Sequence, residues 1–395
     1  MQICLSGRMW RLSRLVVLLV ASAIATRVTA GAQAVPRLAL SAPAVVYDPE
    51  DGQIALQKES AVGVTADGTV LVPDRGRVAV FRSGASRPTF IGRKGSGPGE
   101  YQSVTFFGWL GDTLWIGDAS ARRVTYLPAM GRGSPITQSS HGGSASYFLL
   151  APRSIAVNGA ALSEGIDVEG SSPARKPRVP VVRIDRTRGR VVDTLFWLHV
   201  ARRSFTLKLG TSTMVGAQLL SDASLWNGSR NGAFTVEVTR GVVAGPLAPP
   251  GVSQITLRAG DGRVRYSRGL APDGRVTGAD VAAVVKAFLD PMNTLLRQRK
   301  RTPIDPAEFA KVMYVPSHRF AVLDVVVADD GSVLLRGNDW NRARVQYTWL
   351  HPDGTTRGTF EVPATQRVRA LRGDRVWSTR ETEDGDVQLI AQTVR

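Results

Sequence analysis

The sequence predicts an all-β fold, a six-bladed β-propeller with a short helical insertion, on three observations. First, one phrase recurs along the 395 residues: an Asp- or Gly-bearing turn, a short β-branched or Trp-bearing strand, a polar turn and a second strand. It reads ADGTVLVPDRGRVAVF at 66–81, GDTLWIGDASARRVTYL at 111–127, SDASLWNGSRNGAFTVEV at 221–238, DGSVLLRGNDWNRARVQYTWL at 330–350 and GDRVWSTRETEDGDVQLIAQTV at 373–394, with a weaker copy around Asn158-Gly159. Second, the offsets of 45 residues from Asp67 to Asp112 and 44 from Asp330 to Asp374 match the length of one four-stranded blade. Third, the last copy is one strand short, while an extended segment at 38–47 precedes the first blade without a partner.

Taken in order, the chain begins with Arg8, Arg11 and Arg14 ahead of the apolar run 15–24, followed by small residues at Thr29-Ala30 and Ala32-Gln33-Ala34. This is the pattern of a secretory signal peptide over residues 1–34, with cleavage expected after Ala34 and Ala30 as the second choice. The run is too short for a transmembrane helix, which needs about 20 apolar residues, and Cys4 does not stand where a lipid would be attached. The mature chain, 35–395, is expected in the periplasm or outside the cell with no transmembrane segment.

Reading each phrase as the second and third strands of a blade places six blades starting near residues 60, 103, 145, 215, 319 and 367. Segment 38–47 is then the fourth strand of the last blade, and its pairing closes the ring and hides the sheet edges. Between the fourth and fifth blades, over about 277–315, the pattern changes. There Val281, Val284, Val285, Phe288 and Leu289 recur at helical spacing, Thr277 and Asp280 are placed as a capping box, and a second helix starts at Asp305-Pro306. Pro291 is expected to end or kink the first helix. The segment is either a lid over the propeller mouth or a crossover packed against the blades.

Loss of residues 1–34 removes four arginines and no acid, lowering the formal net charge from +17 to +13. It also removes the only cysteine, so the mature chain relies on packing and contains no thiol nucleophile. A basic balance favours anionic partners, although only 7 of the 50 basic residues are lysine, and an arginine-rich balance also follows from codon bias.

The stretch IGRKGSGPGEY at 91–101, with the Trp109 strand, GDTLWIGD and the 123–127 strand, resembles NHL-repeat and related six-bladed propellers of exported bacterial proteins. The likeness covers roughly residues 60–130 and, more loosely, the last two blades. Gln102-Ser103 replaces the usual Pro-containing entry to the inner strand, and the glycine-rich motif occurs once instead of in every blade. The resemblance implies a binding scaffold or, as the alternative, a metal-dependent hydrolase or lyase of the lactonase type with calcium in the channel. No catalytic residue carries over from it. An RNA partner does not fit export.

The candidate site follows from the blade geometry. The turns between second and third strands and the loops between blades emerge on one face, and they carry Arg75, Arg77, Arg93, Lys94, Arg122, Arg123, Arg230, Arg342 and Arg344. These residues are expected to bind an anion: an acidic glycan, lipopolysaccharide or an acidic protein. The glycine-rich loop 92–100 could cradle a phosphate through its N–H groups, or serve as a tight connection between blades. Asp74 and Asp118, at equivalent positions after a strand, are expected to accept hydrogen bonds from the next turn, with calcium ligation as the alternative; Ca²⁺ wants six to eight oxygens, more than are in view. His141, His199, His318 and His351 have no ligand spacing, and no metal site is assigned. Trp115, Trp226 and Trp377 recur at one place in the repeat and point to packing between blades.

The intact mass of exported protein should correspond to a chain starting at Val35. A start at Gly31 would move the cleavage site only, and retention of Arg8, Arg11 and Arg14 would refute export.

Overall fold

The computed structural model describes residues 35–395 except 84, 86, 140–142, 145–146, 150–153, 157–160, 168–177, 186–189, 200–203, 210–211, 218, 221–222, 241–251 and 341. The expected signal peptide and His141 lie outside the described residues.

Among the described residues, five four-stranded antiparallel sheets form regular propeller blades, each with its first strand innermost. The first blade contains Gly63–Val64, Val70–Asp74, Arg77–Phe81 and Thr89–Ile91; the second, Val104–Leu110, Thr113–Asp118, Arg123–Leu127 and Ile136–Ser139. The third contains Leu225–Gly228, Phe234–Thr239, Ser253–Ala259 and Val264–Leu270; the fourth, Asp324–Val327, Val333–Arg336, Arg344–Leu350 and Thr356–Pro363. The fifth combines Gln366–Arg372, Arg375–Glu381 and Val387–Thr393 with the N-terminal strand Ala44–Tyr47.

The expectation of six regular blades is therefore corrected to five. Where the weak copy around Asn158-Gly159 was expected to form a blade, the chain builds a six-stranded sheet. Its innermost strand, Ser154–Ile155, is only two residues long, and the hairpin Gly143–Ser144/Tyr147–Leu149 shares the partner Ala161–Asp167. The outer strands Arg178–Asp185 and Arg190–His199 are long and pair through two bulges. The register of the third blade is also corrected. Trp226 lies on an innermost strand, whereas Trp115 and Trp377 lie on second strands, so the phrase at 221–238 is displaced by one strand from the other copies.

The inner and middle strands of the blades are covered on both faces, which explains their continuous apolar runs. Successive residues point to opposite faces: Val70 and Val72 join Trp377 and Leu389 of the fifth blade, while Leu71 joins Phe107 and Leu114 of the second. Likewise Val326 packs toward Val368 of the fifth blade and Val325 toward Val236 of the third. The three tryptophans are buried between sheets, with Trp226 set edge-on to Phe196 at 6.3 Å.

The ring closes through the N-terminal segment. Ala44 faces Ala391 and Tyr47 faces Leu389, and Ala39 and Arg395 exchange backbone hydrogen bonds of 2.8 Å each. Tyr47 is buried between the fifth and first blades; its hydroxyl donates to the Ile54 carbonyl (3.1 Å) and accepts from the Ile54 N–H (3.2 Å).

Between the third and fourth blades run the helices Gly278–Gln298 and Pro306–Lys311. Thr277 and Asp280 form the capping box, and Asp280, fully buried, also receives both arms of Arg319 at 3.0 Å each. Pro291 does not end the first helix, which continues seven residues further to Gln298. Val285, Leu289 and Phe309 form one cluster with Phe205 and Leu207 of the hairpin Ser204–Leu209/Ser212–Ala217, so this burial offsets the hydrogen bond that proline removes. Trp340, on the loop after Val333–Arg336, joins the same cluster. Among the described residues, no helix is long and apolar enough to cross a membrane.

Deleting residues 35–48 should lower the melting temperature by on the order of 5–10 °C, because an edge is uncovered and Tyr47 leaves the core. Tyr47→Phe should cost only about 1 kcal/mol. An unchanged melt on deletion would refute closure by the N-terminus.

Candidate functional site

The nine cations assigned from sequence do not form one site. On the first blade, Arg77 donates to Asp74 (2.8 Å) and to the Gln53 carbonyl (2.9 Å) and lies 3.6 Å over the Phe90 ring. Arg342 pairs with Asp273 at 2.7 Å, and Arg344 with Glu361 at 3.3 Å. Arg123 donates to the carbonyls of Ser96 and Glu100, holding the glycine-rich loop against the second blade. Arg93 is bound to Glu100 at 2.6 Å. Arg230 is on the opposite face, a consequence of the displaced register. That leaves Arg75, Lys94 and Arg122 exposed and without a carboxylate partner among the described residues. Arg75 and Arg122 both occupy left-handed backbone, at φ 43° and 49°, where a side chain costs about 1–2 kcal/mol. For Arg75 the cause is the two-residue hairpin turn with Gly76 (φ 94°) between the paired Asp74 and Arg77. Gly76 is needed there, because a Cβ would meet the Tyr101 carbonyl at 2.4 Å.

The glycine-rich loop holds its own anion. The Glu100 carboxylate accepts from the Gly97 N–H (2.8 Å) and the Arg93 Nε–H (2.7 Å), and a Cβ on Gly95 would strike it at 2.1 Å. The Gly97 N–H, and then Arg93, hold the Glu100 carboxyl below its ordinary value. Of the two readings of this loop, tight connection or phosphate cradle, the structure shows the Gly97 N–H taken by the loop's own Glu100. Asp118 likewise accepts from the N–H groups of Gln102, Ser103 and Ala121, and Asp74 from Ala55 N–H and Arg77.

The large cavity, about 1030 Å³, opens on the other face, where first and second strands and third and fourth strands are joined. It runs outward from the channel mouth between the first and second blades. Its apolar wall is Leu71, Val80, Ile91, Trp109 and Met130. Its inner end is polar, with Thr65, Asp67, Asn231, Asp329, Asp330 and Arg372, and its outer end carries Arg82, Ser83 and Arg132. Met130 is placed by a left-handed turn, with Ala129 and Met130 both at φ 52° and the Met130 N–H donating to the Asp112 carbonyl at 2.6 Å.

At the channel mouth, turns of different blades are tied together. Asp329 accepts from the Asn231 N–H (3.0 Å), its carbonyl accepts from the Asn231 amide (3.1 Å), and Arg372 stands 3.6 Å away. Arg372 also donates to the Val64 carbonyl at 3.2 Å. Arg230 donates to the carbonyls of Phe107 (3.1 Å) and Val62 (3.4 Å), while the Trp109 N–H donates to the Arg230 carbonyl at 2.8 Å. Arg230 so links the third blade to the first and second. Desolvation pulls its pKa down to about 10, and burial pushes Asp329 above the usual carboxylate range. Beneath Arg230 a cavity of about 30 Å³ continues the channel, bordered by Arg369.

No protein family matches the chain, and no curated protein resembles it in sequence. Among solved structures it is similar to a protein named as exported from Bacteroides fragilis, at 12% identity and TM-score 0.45, covering 91% of this chain and 95% of that one. It is similar to a duf4221 family member from Bacteroides vulgatus, at 7% identity and TM-score 0.40, covering 91% and 98%. A third likeness is the β-propeller domain of Cps50 (Swd1) from Myceliophteria thermophila, at 10% identity and TM-score 0.37, covering 89% and 99%. These are likenesses of fold, and nothing of those proteins' chemistry passes to this chain.

The glycine-rich loop should respond to acid through Glu100. Its folded pKa is depressed, so the order it lends the loop is complete above the unfolded value near 4.5 and is lost as the pH falls through the lower folded value. The Gly97 amide resonance should therefore titrate in acid in the native protein and stay flat in Glu100→Gln. The same acid response in both would disprove the cradle.

Proposed function

We propose that this chain is an exported β-propeller binding module, with its ligand in the cleft between the first and second blades. One observation carries the reading: a cavity of about 1030 Å³ combines an apolar wall with polar groups converging from several blades. Ligand sites are concave, mostly apolar and fitted with a few placed polar groups. Export rests on the arginine, apolar and small-residue pattern of residues 1–34. The NHL-type likeness rests on the single glycine-rich stretch 91–101 and its neighbouring strands. A metal-dependent hydrolase is the weaker reading, because the carboxylates at the channel mouth are already engaged, Asp329 by Asn231 and Arg372, Asp67 by Thr69 and Asp330 by Ser332.

A second contact with an anionic partner, such as an acidic glycan or lipopolysaccharide, is favoured by Arg75, Lys94 and Arg122 on the opposite face. All three are exposed. Such binding would weaken steeply with salt, since exposed charges are screened within about 10 Å at 0.1 M.

A thermal-shift panel of amphipathic small molecules, positive, negative and neutral, tests the cleft. At least one should raise the melting temperature by a few degrees, as a ligand at ~100 times its Kd adds about 2.7 kcal/mol. Ser83→Trp, which fills the exposed outer end, should abolish that shift. Replacing Arg75, Lys94 and Arg122 with Ser should leave it intact while reducing retention on a heparin column. No shift from any compound would refute the cleft as a ligand site.

A further inference from the structure

We propose that the cleft selects amphipathic anions, with the acid head held at the outer end by Arg82 and Arg132 and the apolar body laid along Leu71, Ile91 and Met130. This rests on the cleft being a ligand site. The two ends differ in how their charges are paired, Arg372 at the inner end standing beside Asp329. The aspartates lie at the inner end and are already engaged: Asp67 accepts from Thr69 N–H (3.1 Å) and the Thr65 hydroxyl (2.5 Å), Asp330 from Ser332 N–H (2.8 Å), and Asp329 from Asn231. The outer cations are not. Arg82 and Arg132 are exposed and have no carboxylate partner among the described residues; Arg132 makes one bond, from Nε–H to the Ala129 carbonyl at 3.2 Å, which leaves both terminal nitrogens free.

The two arginines stand on facing walls. Arg82 follows the third strand of the first blade, Arg77–Phe81, and Arg132 follows the third strand of the second, Arg123–Leu127. The walls approach closely at Gly131, where a Cβ would strike the Ile91 side chain at 2.6 Å. A guanidinium from each side suits a carboxylate, sulfonate or phosphate head, since Arg offers planar N–H pairs to such oxygens. A cationic head would meet two like charges there. The apolar wall between the two ends is the part that asks for a hydrocarbon body.

Two dyes sharing one apolar body separate the contributions. 1-Anilinonaphthalene-8-sulfonate carries the acid head, and N-phenyl-1-naphthylamine lacks it. The full mature chain should bind the sulfonate saturably and about tenfold tighter than the neutral dye. Arg82→Gln with Arg132→Gln should bring the sulfonate down to the neutral dye's affinity and leave the neutral dye unchanged. Among the described residues neither has an ion pair to lose, and an unchanged melting curve verifies folding. Displacement by decanoate against decyl phosphate tells a carboxylate head from a phosphate one. Equal affinity for the two dyes, or no effect of the double substitution, overturns the anion selectivity while leaving the cleft a ligand site. Binding of neither dye, or binding of both that survives Ser83→Trp, overturns the cleft itself.

Discussion

Among the described residues, the inner and middle strands of the blades are covered on both faces by neighbouring sheets, and that constraint governs the rest. A strand with two buried faces must be apolar at consecutive positions, and a ring of such sheets is stable only when it closes. Val70-Leu71-Val72 serves two clusters at once, as does Val376-Trp377 on the other side of the closing seam. Closure falls to a strand from the opposite end of the chain. The pairing of Ala44–Tyr47 with Val387–Thr393 replaces an open edge with a covalently tethered partner.

The same constraint explains how much of the fold was legible. Two-faced apolar runs bounded by Asp and Gly turns are a local signal, so the first, second, fourth and fifth regular blades stand where the repeated phrase puts them. The missing strand of the last blade and the spare segment 38–47 made closure legible for the same reason. The signal has no index, however. A turn, strand, turn and strand read alike whether they are the first and second strands or the second and third, and Trp226 is buried between sheets like Trp115 although it sits on an innermost strand. That single displacement carried Arg230 to the wrong face. The irregular sheet failed differently: its two-residue inner strand and bulged outer pair carry no repeated phrase to find.

The site was less legible, because charge type says nothing about pairing. Arg77, Arg93, Arg342 and Arg344 all have carboxylate partners; Asp74 and Glu100 lie in the same turn or loop as the arginine they hold, whereas Asp273 and Glu361 come from other parts of the chain. Glu100 is the sharpest case. A glycine-rich loop beside Arg and Lys leaves a tight connection and an anion contact both open, and in the fold the loop's own Glu100, three residues past Gly97, takes the Gly97 N–H. The cleft lies further from any sequence signal, since Asp67, Arg132, Asn231, Asp329 and Arg372 come from five sheets or connections spread over some 300 residues. A local hint did exist: the run Pro128-Ala129-Met130-Gly131 ends a strand without β-branched residues, where a left-handed turn is easiest.

Cleft and closing seam are one structure. Arg372 belongs to the fifth blade, the sheet the N-terminal strand completes, and it donates across the seam to Val64 of the first blade while facing Asp329 of the fourth. Arg230 does the same for the third blade, reaching carbonyls of the first and second. Arg230 makes its carbonyl bonds where desolvation lowers its pKa, and Arg372, still partly exposed, makes its bond at the channel rim; together they tie the turns of the blades to one another. A ligand lying from the Arg82 end to the Arg372 end would touch both sides of the seam. Only the part of its binding energy contributed at the Arg372 end would then act on closure, because opening the ring separates the fifth blade from the first, whereas the two facing walls belong to the first and second blades.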